Sequence, residues 1–280
     1  MTTPSHHDLK IFEDYLALHD PANLKARIAR YEAQSRKPRS REQIRKELYR
    51  VLMPQEGGRF ALPISAHPIL EGTPLFRARN LSDVDEMKVE SDAWNAPAQY
   101  VGPGRLNTDG ESLLYTSVAE PSTAAFELRA KAGDLLAMSE FRVINQFNAV
   151  RMGDDFVPPG LSLKGERKLR TIMGFLQDIF TQRTFPDETH KYIAPELVTK
   201  EFWDLPEGIY KAWSYTSVAD PRGNGWNLCF RPTPARQVLE YVRTDVVQLA
   251  PDVTPDAAVF QHQVLKSLVK DHNSDSLVEA

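Results

Sequence analysis

Cysteine is nearly absent from this chain: Cys229 is the single one among 280 residues. One thiol cannot form an internal disulfide, so nothing in the sequence requires an oxidising compartment. No uninterrupted apolar run approaches the roughly 20 residues that span a bilayer. The first ten residues also lack the basic-then-apolar order of a signal peptide. We therefore expect a cytoplasmic protein that does not enter a membrane.

Common cofactor and catalytic signatures are also missing. The chain contains no Walker phosphate loop, no glycine-rich dinucleotide fingerprint and no nucleophile elbow. Its seven histidines are scattered, and no pair has zinc-binding spacing on a helix except the adjacent His6 and His7 near a terminus. The sequence therefore predicts neither a metal site nor one of the common nucleotide folds.

Charge, by contrast, is present in quantity and unevenly distributed. The formal net charge is −4, yet the window from Lys25 to Arg50 holds ten basic residues against three glutamates. Such a block can bind an acidic partner or nucleic acid, and more commonly it is one solvated face of helices. The sequence leaves both readings open.

The N-terminal part has the apolar periodicity of helices. Residues 8–53 repeat apolar side chains at helical spacing, and Ser40 with Gln43 forms a capping box. The stretch PQEGG then breaks the pattern near residue 55. We predict a helical segment over 1–55, a main domain over 56–250, and a C-terminal helix and tail over 251–280.

The main domain mixes strands and helices without regular alternation. TPLFRAR and LLYTSVA read as strands, and a long polar loop separates them over residues 80–112. A helix follows from Pro121 to Gly133, and later helices and strands succeed one another irregularly. The predicted fold class is α+β.

One heptad occurs almost twice, as YTSVAEP at 115–121 and YTSVADP at 215–221. A helix is predicted after the first copy, whereas a glycine turn and a strand are predicted after the second. The flanks therefore argue against a duplicated unit. We favour two strands that supply similar groups to one site, with chance similarity as the alternative.

Several residues suit a ligand that carries phosphates and an aromatic ring. Arg77 and Arg79 alternate on one strand and so share a face, and Arg105 lies in a glycine-rich turn. Guanidinium groups match the geometry of a diphosphate. Tyr115 and Tyr215 offer flat faces to a heteroaromatic ring, more so if that ring is cationic.

A carboxylate completes this set. Glu127 is predicted on a helix beside Ala124 and Ala125, whose small side chains allow close packing against a strand. A carboxylate held there can stabilise a developing oxocarbenium ion. Each feature alone is common on protein surfaces, and together they indicate a pocket for an anion and a ring.

In this order, the segments LFRAR, GPGRLNTDGESLLYTSVAEPSTAAFELR, YIAPELVTKEFW and WSYTSVADPRGNGWNLCF resemble the RES-domain family, named for its Arg, Glu and Ser. The resemblance covers roughly residues 70–232 and is most specific over 102–129. The matching positions are Arg77, Arg105, Asn107, Tyr115, Glu127, Ser217, Gly225 and Asn227. Leu106 departs from the pattern, because that position is often aromatic in the family.

The resemblance implies an ADP-ribosyltransferase-like core of short mixed sheets with flanking helices. It also implies a bacterial toxin of a toxin–antitoxin pair that degrades NAD by hydrolysis or phosphorolysis, with NAD as substrate and no metal. The implied catalytic residues are Glu127, Arg77 and Ser217. The implied NAD-binding residues are Arg77, Arg79, Arg105, Asn107, Tyr115, Tyr215 and Asn227.

An antitoxin covering the active-site cleft is the partner that this resemblance implies, and a homo-oligomer stays open. Two alternatives also remain. An ADP-ribosyltransferase would use the same chemistry to modify a protein or nucleic acid. A non-catalytic protein would hold a nucleotide or nucleic acid, but a carboxylate gains such a protein nothing in a pocket for anions.

Overall fold

The computed structural model describes residues 5–35, 37, 39–53, 60–184, 186–250 and 261–280. The helices in these residues are α1 (His6–Ala17), α2 (Pro21–Ser35), α3 (Arg41–Leu52), α4 (Pro121–Glu127), α5 (Leu163–Thr181), α6 (Ile193–Phe202) and α7 (Pro232–Val238). The strands are β1 (Ala66–Ile69), β2 (Pro74–Asn80), β3 (Leu114–Val118), β4 (Leu135–Val143), β5 (Phe147–Arg151), β6 (Ala212–Thr216), β7 (Trp226–Phe230), β8 (Leu239–Leu249), β9 (His262–Lys270) and β10 (Leu277–Glu279). Short 3-10 helices span Glu90–Ala93, Ala98–Tyr100 and Pro186–Tyr192. This content confirms the α+β class.

The chain divides into two compact units, which differ from the parts that the sequence predicts. The helical unit comprises Met1–His67, Gly102–Asp109 and Val150–Leu205, and the sheet unit comprises Pro68–Val101, Gly110–Ala149 and Pro206–Ala280. The N-terminal helices thus share a unit with α5 and α6, because their apolar faces need a partner that lies far along the chain. The boundary predicted near residue 55 falls outside the described residues.

Apolar faces and buried ion pairs hold the helical unit together. The ring of Tyr31 on α2 meets Phe175 on α5 edge to face, with centroids 5.1 Å apart. The guanidinium of Arg41 donates hydrogen bonds from both Nη atoms to the buried carboxylate of Glu196 on α6, and Nη2 lies 3.1 Å from Oε1. Part of the basic block therefore serves the packing of this unit.

The sheet runs in the order β1-β5-β6-β7-β3-β2-β4-β8-β9-β10. Its pairs from β6 to β10 are antiparallel, so successive residues alternate between two faces. One face carries the main apolar core, which includes Leu75, Leu114, Phe141 and Leu228. α4 packs on the other face, where Ala125 and Phe126 join Leu136 and Val247 in a smaller core.

Two local predictions are corrected. The C-terminal helix predicted within 251–280 is wrong where the structure describes it: residues 262–270 form β9, which pairs with β8, and β10 follows. Residues 251–260 lie outside the described part. The helix expected from Pro121 to Gly133 ends at Glu127, because Arg129 adopts a positive φ of 53° that no helix continues.

None of the helices in the described ranges combines the length and the apolar character that crossing a bilayer requires.

Candidate active site

The carboxylate of Glu127 is fixed by two donors from distant parts of the sheet unit. Its Oε1 accepts a hydrogen bond from Ser217 Oγ at 2.5 Å and another from Asn227 Nδ2 at 2.6 Å. Both donor residues are buried, whereas Glu127 is exposed as the last residue of α4. Within the described residues, Oε2 takes no hydrogen bond, so one oxygen is held while the other stays available.

Ser217 is positioned by the turn that follows β6. Its backbone N–H donates to Gly225 O at 2.8 Å, and its Oγ accepts from Asp220 N at 3.1 Å. With that lone pair occupied, the hydroxyl hydrogen is directed to Glu127. Gly225 is required here, because an added Cβ would lie 2.6 Å from Asp220 Oδ2 and 2.8 Å from Thr123 Cγ2.

A buried ionic network ties this turn to α4. Asp220 Oδ2 accepts from Thr123 Oγ1 at 2.7 Å and from Arg222 Nη2 at 2.6 Å, while Arg222 also reaches Glu120 at 3.2 Å. Burial acts to raise the pKa of the Asp220 carboxyl, but the hydrogen bonds from Arg222 and Thr123 outweigh it and keep the pKa below its usual value. The sequence analysis did not predict this network. The one signal for it in the sequence is that Asp220 and Arg222 lie two positions apart after β6.

The two similar heptads flank the same strand. The heptads begin in β3 and β6, which both pair with β7, and Asn227 lies opposite Ser117 on one side and Tyr215 on the other. Tyr115 and Tyr215 therefore share the sheet face of Asn227. Tyr215 is buried and Tyr115 is partly exposed. The structure thus brings the two heptads to one side of one sheet.

The arginines of β2 lie on the other face. Leu75 pairs with Val118 and Phe141 on the side of the main core, and Arg77 and Arg79 alternate with it onto that side. The sheet register therefore does not place them on the face that carries Glu127. Arg79 forms an ion pair with Glu86, with Nη2 2.5 Å from Oε1.

Arg77, unlike Arg79, forms no ion pair within the described residues. Its Nη1 donates to Ala93 O at 3.2 Å, and it pairs with no carboxylate in the part of the chain that the structure describes. Burial, with a smaller contribution from Arg79, lowers the pKa of Arg77 to about 10, so it is still a cation at neutral pH. A partly buried cation without a counter-charge suits an anionic ligand.

The sheet opens next to Arg77. β2 and β3 pair only at Leu75 with Val118 and at Phe76 with Ser117, although both strands continue beyond these pairs. Arg77 is the first residue after the last pair, and Ser117 is also the partner of Asn227. The pairing of β2 with β3 therefore ends next to Arg77, and its last partner, Ser117, shares the sheet face of Asn227.

Arg105 and Asn107 belong to the helical unit and have structural partners there. Arg105 is buried, and its guanidinium donates to the carbonyls of Phe180 and Gln182 at the end of α5. This arrangement satisfies carbonyls that the helix itself leaves unpaired. Asn107 Nδ2 donates to Gly102 O at 2.9 Å and to Thr108 O at 2.8 Å, which closes its own loop.

A groove of about 360 Å³ also lies on the α4 face of the sheet, lined by residues that include Pro121, Ala125, Met138 and Arg243. Glu127 is not part of its lining. The described residues contain no group of three or more His, Cys, Asp or Glu side chains arranged to hold a metal ion. At Glu127 the described residues provide a positioned carboxylate with hydroxyl and amide neighbours.

No protein-family model matches the chain, and a search of curated proteins finds no matching relative. The resemblance to the RES domain therefore rests on the residues quoted above.

Proposed function

We propose that this protein is an NAD-consuming enzyme that cleaves the bond between nicotinamide and ribose, on an ADP-ribosyltransferase-like core. The observation that supports this most directly is the pair of hydrogen bonds from Ser217 and Asn227 to one oxygen of Glu127. A surface glutamate needs no such fixation, whereas a carboxylate that stabilises a transition state must be preorganised.

The reaction requires a carboxylate next to the ribosyl carbon on which positive charge develops in the transition state. As the C–N bond breaks, its electron pair neutralises the pyridinium ring, nicotinamide leaves, and the ribosyl carbon becomes oxocarbenium-like. Glu127 stabilises that cation while Ser217 and Asn227 keep the carboxylate in place. Water then adds and loses a proton to give ADP-ribose, or phosphate adds at the same carbon to give ADP-ribose 1″-phosphate, which is the ribosyl phosphate expected from phosphorolysis.

We assign binding of the dinucleotide to residues beside the opening between β2 and β3. Arg77 supplies a cation without an intramolecular carboxylate partner in the described residues, at the edge where β2 and β3 separate. Tyr115 presents an aromatic ring on the adjacent strand. Arg79, Arg105 and Asn107 already bind partners within their own units, and their contact with NAD stays a prediction from the sequence.

An enzyme that degrades NAD depletes an essential cofactor of its own cell unless its activity is inhibited. The proposal therefore includes a toxin role and a protein partner that occludes the site, as the RES resemblance implies. ADP-ribosyl transfer to a macromolecule is the second candidate, because the same carboxylate serves either acceptor.

The decisive experiment is incubation of the purified protein with NAD, with and without phosphate, followed by identification of the products. Free nicotinamide with ADP-ribose indicates hydrolysis, and a ribosyl phosphate that appears only with phosphate indicates phosphorolysis. Nicotinamide release that depends on an added protein or nucleic acid, with label retained on it, indicates transfer. Intact NAD in every arm would refute the proposed activity.

A further inference from the structure

The basic block from Lys25 to Arg50 spans α2 and α3, and carboxylates of its own unit neutralise only part of it. Arg41 pairs with Glu196, Arg45 pairs with Glu201 at 2.8 Å, and both α6 carboxylates are thereby used. Glu47 is buried and contacts Arg30 at 3.5 Å as well as Arg50. These pairs are structural, and they leave Lys37, Arg39 and Lys46 without an ion-pair partner among the described residues.

The remaining cations line one concave site. A cavity of about 420 Å³ is bordered by the residues Gln34, Lys37, Arg39, Gln43, Lys46, Glu47 and Arg50. Four of these side chains are cationic and one is a carboxylate that already accepts from Arg50.

Arg39 has an unsatisfied donor at this site. Its guanidinium stacks over the ring of Tyr31 at 4.8 Å, which restrains its orientation. Its Nη1 is buried and meets no hydrogen-bond acceptor in the described residues. A buried donor without an acceptor is costly, and an acceptor from a bound anion would remove that cost.

We propose that this pocket, the α2–α3 pocket, binds a compact ligand that carries two or more linked phosphate groups. Its volume falls within the range of small-molecule sites, and four cationic side chains line it. A nucleic-acid backbone is instead read by cations spaced along an extended track. Arg39 supplies the oriented guanidinium, Lys37 and Lys46 supply mobile charges, and Gln34 supplies an amide at the rim.

Calorimetry with inorganic pyrophosphate tests the proposal on the full chain at low ionic strength. We expect one site per chain, with binding that weakens as salt screens the lysines. Lys46→Gln should weaken pyrophosphate binding about tenfold, as the loss of one charge-assisted contact implies. Lys25→Gln is the matched control, because Lys25 is exposed on α2 but lies outside the pocket. It should bind as the parent does.

Three results would overturn the proposal. These are no binding of pyrophosphate, equal weakening by Lys46→Gln and Lys25→Gln, and tighter binding of a single-stranded oligonucleotide whose affinity falls equally in both variants. The last would assign the surface to nucleic acid. Pyrophosphate binding is measured without NAD turnover, so this test stands apart from the activity proposed for Glu127.

Discussion

Ser217 Oγ and Glu127 Oε1 lie 2.5 Å apart, although the two residues are separated by 90 positions in the chain. The hydroxyl cannot turn to another acceptor without giving up the N–H of Asp220, which donates to it from within the same turn. The orientation of the carboxylate therefore depends on the turn after β6 and on the network beneath it.

Replacing Glu127 by Gln should abolish NAD turnover and leave the fold intact. The amide oxygen can still accept from Ser217 and Asn227, but it carries no charge to stabilise the transition state. We expect a loss of about a hundredfold or more in rate, measured as nicotinamide release. Glu71→Gln, an exposed position in the sheet unit, is the control and should keep full activity. Comparable rates for the two variants would remove Glu127 from the mechanism.

Asn227→Asp should slow NAD turnover. It places a second carboxylate where the amide nitrogen now lies 2.6 Å from Glu127. An aspartate cannot donate this hydrogen bond and its charge repels Glu127, so the carboxylate loses one of the two contacts that position it. Because the transition state needs a preorganised carboxylate, nicotinamide release should fall about tenfold or more. A rate equal to that of the parent would show that position 227 does not position the working carboxylate.

Gly225→Ala should destabilise the sheet unit. The added methyl group would meet Asp220 Oδ2 at 2.6 Å and Thr123 Cγ2 at 2.8 Å, so the turn or α4 must shift. Overpacking of this kind costs about 1–3 kcal/mol, measured by urea denaturation. Gly208→Ala meets nothing within 4 Å and should cost less. Equal midpoints for the two variants would contradict the close approach.

Arg77→Lys should weaken NAD binding more than Arg79→Lys. A lysine cannot replace the planar guanidinium at a diphosphate, whereas Arg79 is already paired with Glu86. Titration calorimetry in the Glu127→Gln background avoids turnover, and we expect about a tenfold loss for Arg77→Lys. If both variants bind NAD as the background does, the diphosphate lies elsewhere.

His19 should make the protein less stable in mild acid. It is fully buried and its Nδ1 accepts from Arg27 Nη2 at 3.2 Å, which requires the neutral ring. Burial, followed by the charges of Arg27 and Lys168, lowers the pKa of His19 from 6.5 to about 4. Because the unfolded chain binds the proton more readily, the free energy of unfolding should fall as pH drops from about 6.5 to 4, by roughly 3 kcal/mol in all.

His19→Gln should flatten that pH dependence in urea unfolding, because an amide does not titrate. A smaller slope should remain, since burial also lowers the pKa of His67. His272→Gln, at an exposed turn, should leave the curve unchanged. An unaltered slope in His19→Gln would mean that the imidazole is not held neutral by the fold.

Local sequence signals correctly predicted those elements whose structure depends on residues close by in the chain. The capping box at Ser40 and Gln43, for example, marks the start of α3. The strands around Tyr115 and Tyr215 are present where their alternation predicts them. Residues 262–270 lie in the part predicted as a C-terminal helix and tail, but they form the strand β9. A strand at this position depends on pairing with β8, which the local sequence does not reveal.

The sequence by itself determined the α+β class, most element positions and the identity of the residues able to do ionic chemistry. Only the tertiary structure decided which of them meet. It joined Glu127 to Ser217 and Asn227, turned Arg77 to the opposite sheet face, and assigned Arg105 to the end of α5. Pairing register and long-range packing set these relationships, and neither is encoded in any short stretch of chain.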